Sequence, residues 1–305
     1  LTDEVLKEWI KLKVKSDSIR INWSTLLLKA LENIDNADIT TIHGFCSKTL
    51  RREAVELGNN MNLESLTETG NKQLILEIAY EYWNEHMLDL PEKQLKGLQA
   101  AGLSIENLIN SILKIESDPS LKFYIDNNRV NDSKPLSEQF NNWVRESWNS
   151  FILNWKNDGQ ELEEEIKQKA ITWKAMGINN TRPFSPRPKR NRVKEVSNWI
   201  EECNFKINSI TSTKNTPDFY DIRRNSLLKD YFHPSKISNI EDANGLESSS
   251  LVYPELQQSI AELYDLPAEL AMQHAISCSL KRLEQRKILL GLVSYSDQLK
   301  SLDPI

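Results

Sequence analysis

The stretch Thr41-Ile42-His43-Gly44-Phe45-Cys46 decides how the rest of this chain is read. Its approach, Ala37-Asp38-Ile39-Thr40-Thr41-Ile42, is β-branched and bounded by polar residues, which predicts a short strand. Its exit is a helix with Cys46, Leu50, Ala54 and Leu57 on one face and Lys48, Arg51 and Arg52 largely off it. A lone strand is not stable. Its sheet partners are therefore either missing from this chain or supplied by segments that the sequence does not single out.

Composition narrows what can surround this element. A length of 305 residues allows one large domain or two ordinary ones. Collagen-like and low-complexity classes are excluded. No apolar run is long enough to span a bilayer, and Leu1-Thr2-Asp3-Glu4 lacks the plan of a signal peptide. The first residue is not Met, which reads as a chain cut from something longer. The 9 glycines are scattered singly. Neither G-x-G-x-x-G nor G-x-x-x-x-G-K-[ST] can be written from them, and Gly70-Asn71-Lys72 is too short to count. This argues against a self-contained nucleotide-binding enzyme.

Cys46, Cys203 and Cys278 are odd in number and far apart, without a C-x-x-C pair. A disulfide framework or structural zinc is disfavoured, and a reducing cytosol is the default. His86 continues the stripe Ile75, Ile78, Tyr82 and reads as a packing histidine, as does His274. His43 stands apart because of its neighbours.

The remainder reads as mostly helical. Ser104 can cap a helix with Ile105, Leu108, Ile109, Ile112 and Leu113 on one face. Residues 117–137 form a polar loop or linker. Val144, Trp148, Phe151 and Trp155 form an aromatic stripe, better read as core than as a base-stacking platform. That helix is expected to break near Asp158-Gly159. A second helix with a solvated acidic face then runs through Glu161, Glu163, Glu164, Glu165 and Lys167. Residues 209–252 look loop-rich. Pro254 opens a helix and Pro267 another, the latter ending in Lys281, Arg282, Arg286 and Lys287, which suit a helix C-terminus.

The main electrostatic anomaly is the segment from Gly177 onward. Pro183, Pro186 and Pro188 exclude a regular helix, and Arg182, Arg187, Lys189, Arg190, Arg192 and Lys194 precede the first acid, Glu195. The whole chain carries a net charge of −6. Its positive charge is concentrated here and around Thr41–Arg52.

The Thr41–Cys46 run is similar to the T-x-H-G-F element of the UvrD/Rep-like superfamily 1 DNA helicases. Its I-H-G-F-C form resembles the RecB-type branch, the beta subunits of bacterial exodeoxyribonuclease V. Near the other end, Gly291-Leu292-Val293-Ser294-Tyr295-Ser296-Asp297-Gln298-Leu299 is similar to the family's G-x-x-x-F-D-D-x-L stretch, with Ser296 in place of the first Asp. Gly177-Ile178, the basic stretch, Trp199 and Tyr253-Pro254 resemble the middle of the same branch.

The resemblance implies a mainly α fold, a helical 1B-type insertion domain with a short β-strand remnant of a RecA-like 1A domain. Residues 1–60 and 286–305 would flank from 1A, and 61–285 would form 1B with its basic loop at 177–194. Walker A and Walker B would lie outside the chain. It would then hold no catalytic, cofactor-binding or metal-binding residue, while the full-length parent would use ATP and Mg²⁺. The expected partners are DNA, both the single strand and the duplex ahead of a fork, and the other subunits of a RecBCD-like complex. No membrane is expected, and the location would be cytoplasmic. The implied role is a DNA-binding accessory domain of an ATP-dependent helicase/exonuclease in double-strand-break repair and recombination.

Thr41, His43, Gly44 and Phe45 would meet the single strand. Thr41 would offer a hydroxyl and His43 a ring N–H, while Gly44 lets the backbone approach and the helix N-terminus favours anions. Phe45 could stack on a base but reads more readily as core. Arg182, Arg187, Lys189, Arg190, Arg192 and Lys194 would contact duplex phosphates, the competing reading being a solvated loop with no partner. Two alternatives stand beside this one. The first is a helical protein-interaction scaffold that uses the aromatic stripe as a docking face. The second is the same domain of a UvrD, Rep or AddA-type helicase.

Overall fold

The computed structural model describes residues 17–34, 40–52, 64–178 except 119 and 122, 184, 190–209, 217–246, 253–294 and 296–298, with isolated positions 4, 7, 8 and 11. The chain divides into two compact units, residues 1–63 with 297–305, and residues 64–296.

The smaller unit contains α1 (Asp17–Glu32) and α2 (Ile42–Arg52). The expected strand at 37–42 is corrected where it can be seen: Thr40 and Thr41 are irregular and Ile42 already begins α2, while 37–39 lie outside the described residues.

The larger unit opens with β1 (Glu64–Ser65), followed by α3 (Glu68–Tyr82), which runs into a π-helical turn at Trp83–Met87. Next come α4 (Glu92–Ala100), α5 (Ile105–Ser117) and the 40-residue α6 (Leu136–Ala175). Then follow α7 (Arg192–Ser209), α8 (Phe219–Arg223), a second π-helical turn at Leu228–Phe232, α9 (Pro234–Ala243), the 37-residue α10 (Pro254–Leu290) and β2 (Leu292–Val293). β1 and β2 pair in parallel, Glu64 opposite Leu292 and Ser65 opposite Val293. The helices between them form the crossover that a parallel pair requires.

The mainly helical class is as expected. Ser104 caps α5, its Oγ accepting the Asn107 N–H at 3.2 Å. α6 spans about 60 Å at 1.5 Å per residue and packs along α10. Its stripe is core: Phe140, Val144, Trp148, Phe151 and Trp155 are all buried. The indole N–H groups find partners, Trp143 donating to the Arg129 carbonyl at 3.1 Å and Trp155 to Ser197 Oγ at 3.2 Å.

Four expectations are corrected. α6 does not break at Gly159. A Cβ there would stand 3.1 Å from the Trp155 indole, so the glycine makes room for that ring instead of ending the helix. α10 is continuous through Pro267, because Leu263, Tyr264, Leu270 and Ala271 around it are all buried and tertiary packing outweighs the lost backbone hydrogen bond. Residues 219–243 are structured. Phe219, Ile222, Leu228, Tyr231 and Phe232 enter the core, and the Tyr264 hydroxyl lies within hydrogen-bond distance of the carbonyls of Ile222 (2.9 Å) and Asn225 (2.6 Å). The acidic run is also less solvated than its charge suggests, since Glu163 is buried with Lys167 3.7 Å away.

Both packing histidines behave as read. His274 is fully buried, its Nδ1 2.8 Å from Tyr82 Oη and its Nε2 3.0 Å from the Lys134 carbonyl, and His86 lies edge-on to its ring. The basic end of α10 ties down other elements through Lys281–Asp132, Arg282–Glu85, Arg286–Glu81 and Lys287–Glu116. Among the described residues, no helix is long and apolar enough to cross a membrane.

Candidate nucleic-acid interface

Thr41 is exposed and stands immediately before α2. Its Oγ1 accepts the Gly44 N–H at 3.2 Å, and its carbonyl accepts the Phe45 N–H at 2.9 Å. This is N-cap geometry. The capping bond uses an acceptor lone pair of the hydroxyl, so the O–H can still be donated outward. No acidic residue occupies the first turn, which leaves the positive end of the helix dipole uncompensated there.

The other residues of the element follow from this cap. His43 lies in the first turn, with its ring outside the described side chains. Gly44 is required by close approach, because a Cβ would collide with the Thr40 hydroxyl and lie 3.3 Å from Thr40 Cβ. Phe45 is 50% exposed, which corrects the expectation of a core ring. Cys46, one position on, is the residue that turns inward.

In the basic segment, Arg182, Arg187 and Lys189 lie outside the described residues. Arg190 is exposed and donates through Nε and Nη2 to the two carboxylate oxygens of Glu195, each at 2.8 Å. That fork depresses the Glu195 carboxyl below its usual value and raises Arg190. Lys194 is exposed, and its backbone N–H is capped by Asn191 Oδ1 at 2.8 Å. Arg192 is corrected as a surface contact. It is 2% exposed, with its guanidinium carbon 4.1 Å from the centre of the Tyr231 ring, a cation–π arrangement inside the core. Burial pushes the Tyr231 hydroxyl up to about 12.

Three residues here escaped the sequence reading: Phe184, Glu195 as partner of Arg190, and Tyr231 as seat of Arg192. The signal for Phe184 was present, one aromatic inside a run of prolines and cations. Tyr231 lies in a segment that looked like loop and gave no such signal. Among the described residues, no group of three or more His, Cys, Asp or Glu side chains could hold a metal ion.

Comparison with known proteins bears on both elements. Residues 6–272 match the UvrD/REP helicase N-terminal domain, a span that takes in the Thr41–Phe45 element and the basic segment. The chain is also similar to the RecBCD enzyme subunit RecB of Haemophilus influenzae, 26% identical over 287 residues that make up 90% of this chain and 22% of that protein. The chain thus spans less than a quarter of that relative's length. A family match that extends over most of the chain, and through the capped helix whose sequence first suggested it, establishes that this chain belongs to the UvrD/Rep helicase family.

Proposed function

We propose that this chain is a DNA-engaging helical domain of the 1B type, with flanking parts of a RecA-like 1A domain, from a RecB-like ATP-dependent helicase/exonuclease that acts in double-strand-break repair and recombination. The observation that carries the reading is the exposed, Thr41-capped N-terminus of α2, which presents the T-x-H-G-F residues with no acidic residue in the helix's first turn. On this reading residues 1–60 and 286–305 belong with 1A and 61–285 form 1B.

Thr41, His43, Gly44 and Phe45 meet the single strand, with Phe45 exposed enough to stack on a base. Arg182, Arg187, Lys189, Arg190 and Lys194 meet duplex phosphates, and Arg192 anchors that segment from below. ATP and Mg²⁺ serve the full-length parent in the cytoplasm, beside the partner subunits of a RecBCD-like complex, and this chain by itself carries out no catalysis. The scaffold alternative loses its docking face, since Trp148, Phe151 and Trp155 are buried.

Fluorescence anisotropy with single-stranded and forked DNA across a salt series tests this. If four to six phosphates are engaged, log K falls with log[salt] at a slope of roughly −4 to −5. His43→Ala, which leaves the Thr41 cap in place, is expected to weaken single-strand binding about tenfold, the loss of a charge-assisted hydrogen bond of about 1.5 kcal/mol, with an unchanged melting temperature. Single-strand binding at wild-type strength in this variant would exclude the element from the interface. ATP turnover by the purified chain that disappears on mutating one of its residues would overturn the non-catalytic assignment.

A further inference from the structure

The short helix α9 puts two of its faces to different uses. Ile237 and Glu241, one turn apart, are buried, and Glu241 pairs with Lys169 of α6 at 2.9 Å. Lys236, Asn239, Ile240, Ala243 and Asn244 also follow helical spacing, but they front an open cleft of about 590 Å³. Asp230, in the π-helical turn at Leu228–Phe232, and Phe184 complete its lining. Phe184 is 1% exposed and stacked on Tyr231 at 5.5 Å, so that part of the lining is fixed. The volume falls in the range of small-ligand sites, roughly 300–1,000 Å³. Among the described residues, the side chains of Asp230, Lys236 and Asn239 make no hydrogen bond or ion pair, which leaves all three available to a ligand. The stability of α9 does not account for two of them. A lysine in the first turn opposes the helix dipole, and asparagine is a poor helix former.

We propose that this cleft seats one unstacked nucleotide of a DNA strand. The proposal rests on the DNA reading above and adds to it a base-binding subsite on α9. The lining asks three things of an occupant: an anion for Lys236, an apolar surface for Ile240, Ala243 and Phe184, and a polar edge for Asp230 and Asn239. A nucleotide supplies them as phosphate, base plane and base edge. The positive end of the α9 dipole lies beside Lys236 and favours the same phosphate, and no acidic residue occupies that first turn. Asn239 can both donate to and accept from a base, whereas Asp230 only accepts. The carboxylate therefore favours an exocyclic amino group, such as that of cytosine, over the carbonyl that thymine carries at the same position. A base held in a duplex stack does not offer its plane to such a cleft, so the occupant belongs to a separated strand.

The test measures anisotropy of labelled oligodeoxycytidine and oligodeoxythymidine of equal length on the full chain over a salt series. Circular dichroism and melting temperature report the fold. Wild type is expected to bind the cytidine strand about fivefold more tightly than the thymidine strand. Asp230→Ala should bring that ratio close to one, a readout that a uniform change in affinity does not move. Lys236→Ala should weaken both strands alike and flatten the salt slope by about one, as one phosphate contact is lost. Ala243→Phe, which fills the cleft from an exposed position, should weaken both strands and erase the preference. Folded variants that keep wild-type affinity, slope and preference overturn the subsite. Should Ala243→Phe fail to fold, Asp230→Ala and Lys236→Ala decide by the same criterion. If wild type binds neither strand, the DNA reading falls and the subsite with it. If wild type binds both strands equally, only the subsite falls.

Discussion

At the scale of single residues, close approach explains more here than polarity does. Gly97 of α4 lies against α8, and a Cβ on it would sit 2.7 Å from Phe219 Cδ1 and 2.8 Å from the Tyr220 backbone nitrogen. A phenyl ring can turn aside, but a backbone nitrogen held in a helix yields only if α8 moves. Phe219 is fully buried, and its N–H is bonded to Gln94 Oε1 at 2.8 Å, so α8 is not free to retreat. Gly97→Ala is therefore expected to lower stability by about 1–3 kcal/mol, read from urea unfolding. An unchanged midpoint would show that α8 relaxes more easily than this packing implies. Nothing in the local sequence marks Gly97, because its neighbour in space is more than a hundred positions away. Thr41 is the opposite case, since cap and helix lie side by side in the chain.

At the scale of elements, the ends of the long helices are fastened by charge. Lys287 of α10 and Glu116 of α5 are almost fully buried and lie 2.7 Å apart, and Lys287 Nζ also reaches Ser294 Oγ at 3.2 Å. Ser294 in turn is 3.1 Å from Ser296. The pair thus links the end of α5, the end of α10 and the chain beyond β2. Removing Glu116 takes a carboxylate away from a buried ammonium. Glu116→Leu should cost about 3 kcal/mol, whereas Glu138→Leu, which breaks the exposed Lys134–Glu138 pair, should cost well under 1 kcal/mol. Equal melting temperatures for the two variants would count against a structural role for the buried pair. The sequence showed the basic end of α10 and suggested a helix-dipole explanation. The acidic partners on α3, α5 and the 126–135 loop emerge only once the helices are packed.

At the scale of the whole molecule, stability should depend on pH through a histidine centre that joins α3, α10 and the loop at 131–134. Burial is the main cause that lowers His274 from its usual 6.5, and it lowers His86 as well. The groups facing His274 are Tyr82, His86, Cys278, Asp132 and the Lys134 carbonyl. The neutral ring is satisfied, Nε2–H donating to Lys134 and Nδ1 accepting from Tyr82. Because the folded pKa lies below the unfolded one, the unfolded chain binds more protons as pH falls. The stabilisation is then complete above about 6.5 and is lost as pH drops through the folded value. Carboxylates held below their usual range by ion pairs and hydrogen bonds, among them Glu85, Asp132 and Asp265, add their own loss, beginning nearer pH 4. Urea unfolding between about pH 7 and about pH 5 should show declining stability in wild type and a flatter profile in His274→Gln. Parallel profiles would assign the decline to other groups.

The sequence by itself determined the helical class, the capped start of α5, the aromatic stripe of α6, the packing role of His86 and His274, and the family through Thr41–Cys46. Each of these is written in neighbouring residues, by helical period, by a cap, or by a short motif. The tertiary structure decided that α6 and α10 run unbroken through Gly159 and Pro267, because burial on several sides outweighs local propensity. It likewise decided that residues 219–243 fold into the core, that β1 finds its partner in β2 from the far end of the unit, and that Arg192 turns inward onto Tyr231 while Phe45 faces out. These outcomes depend on which distant surface each side chain meets, and no local pattern encodes that.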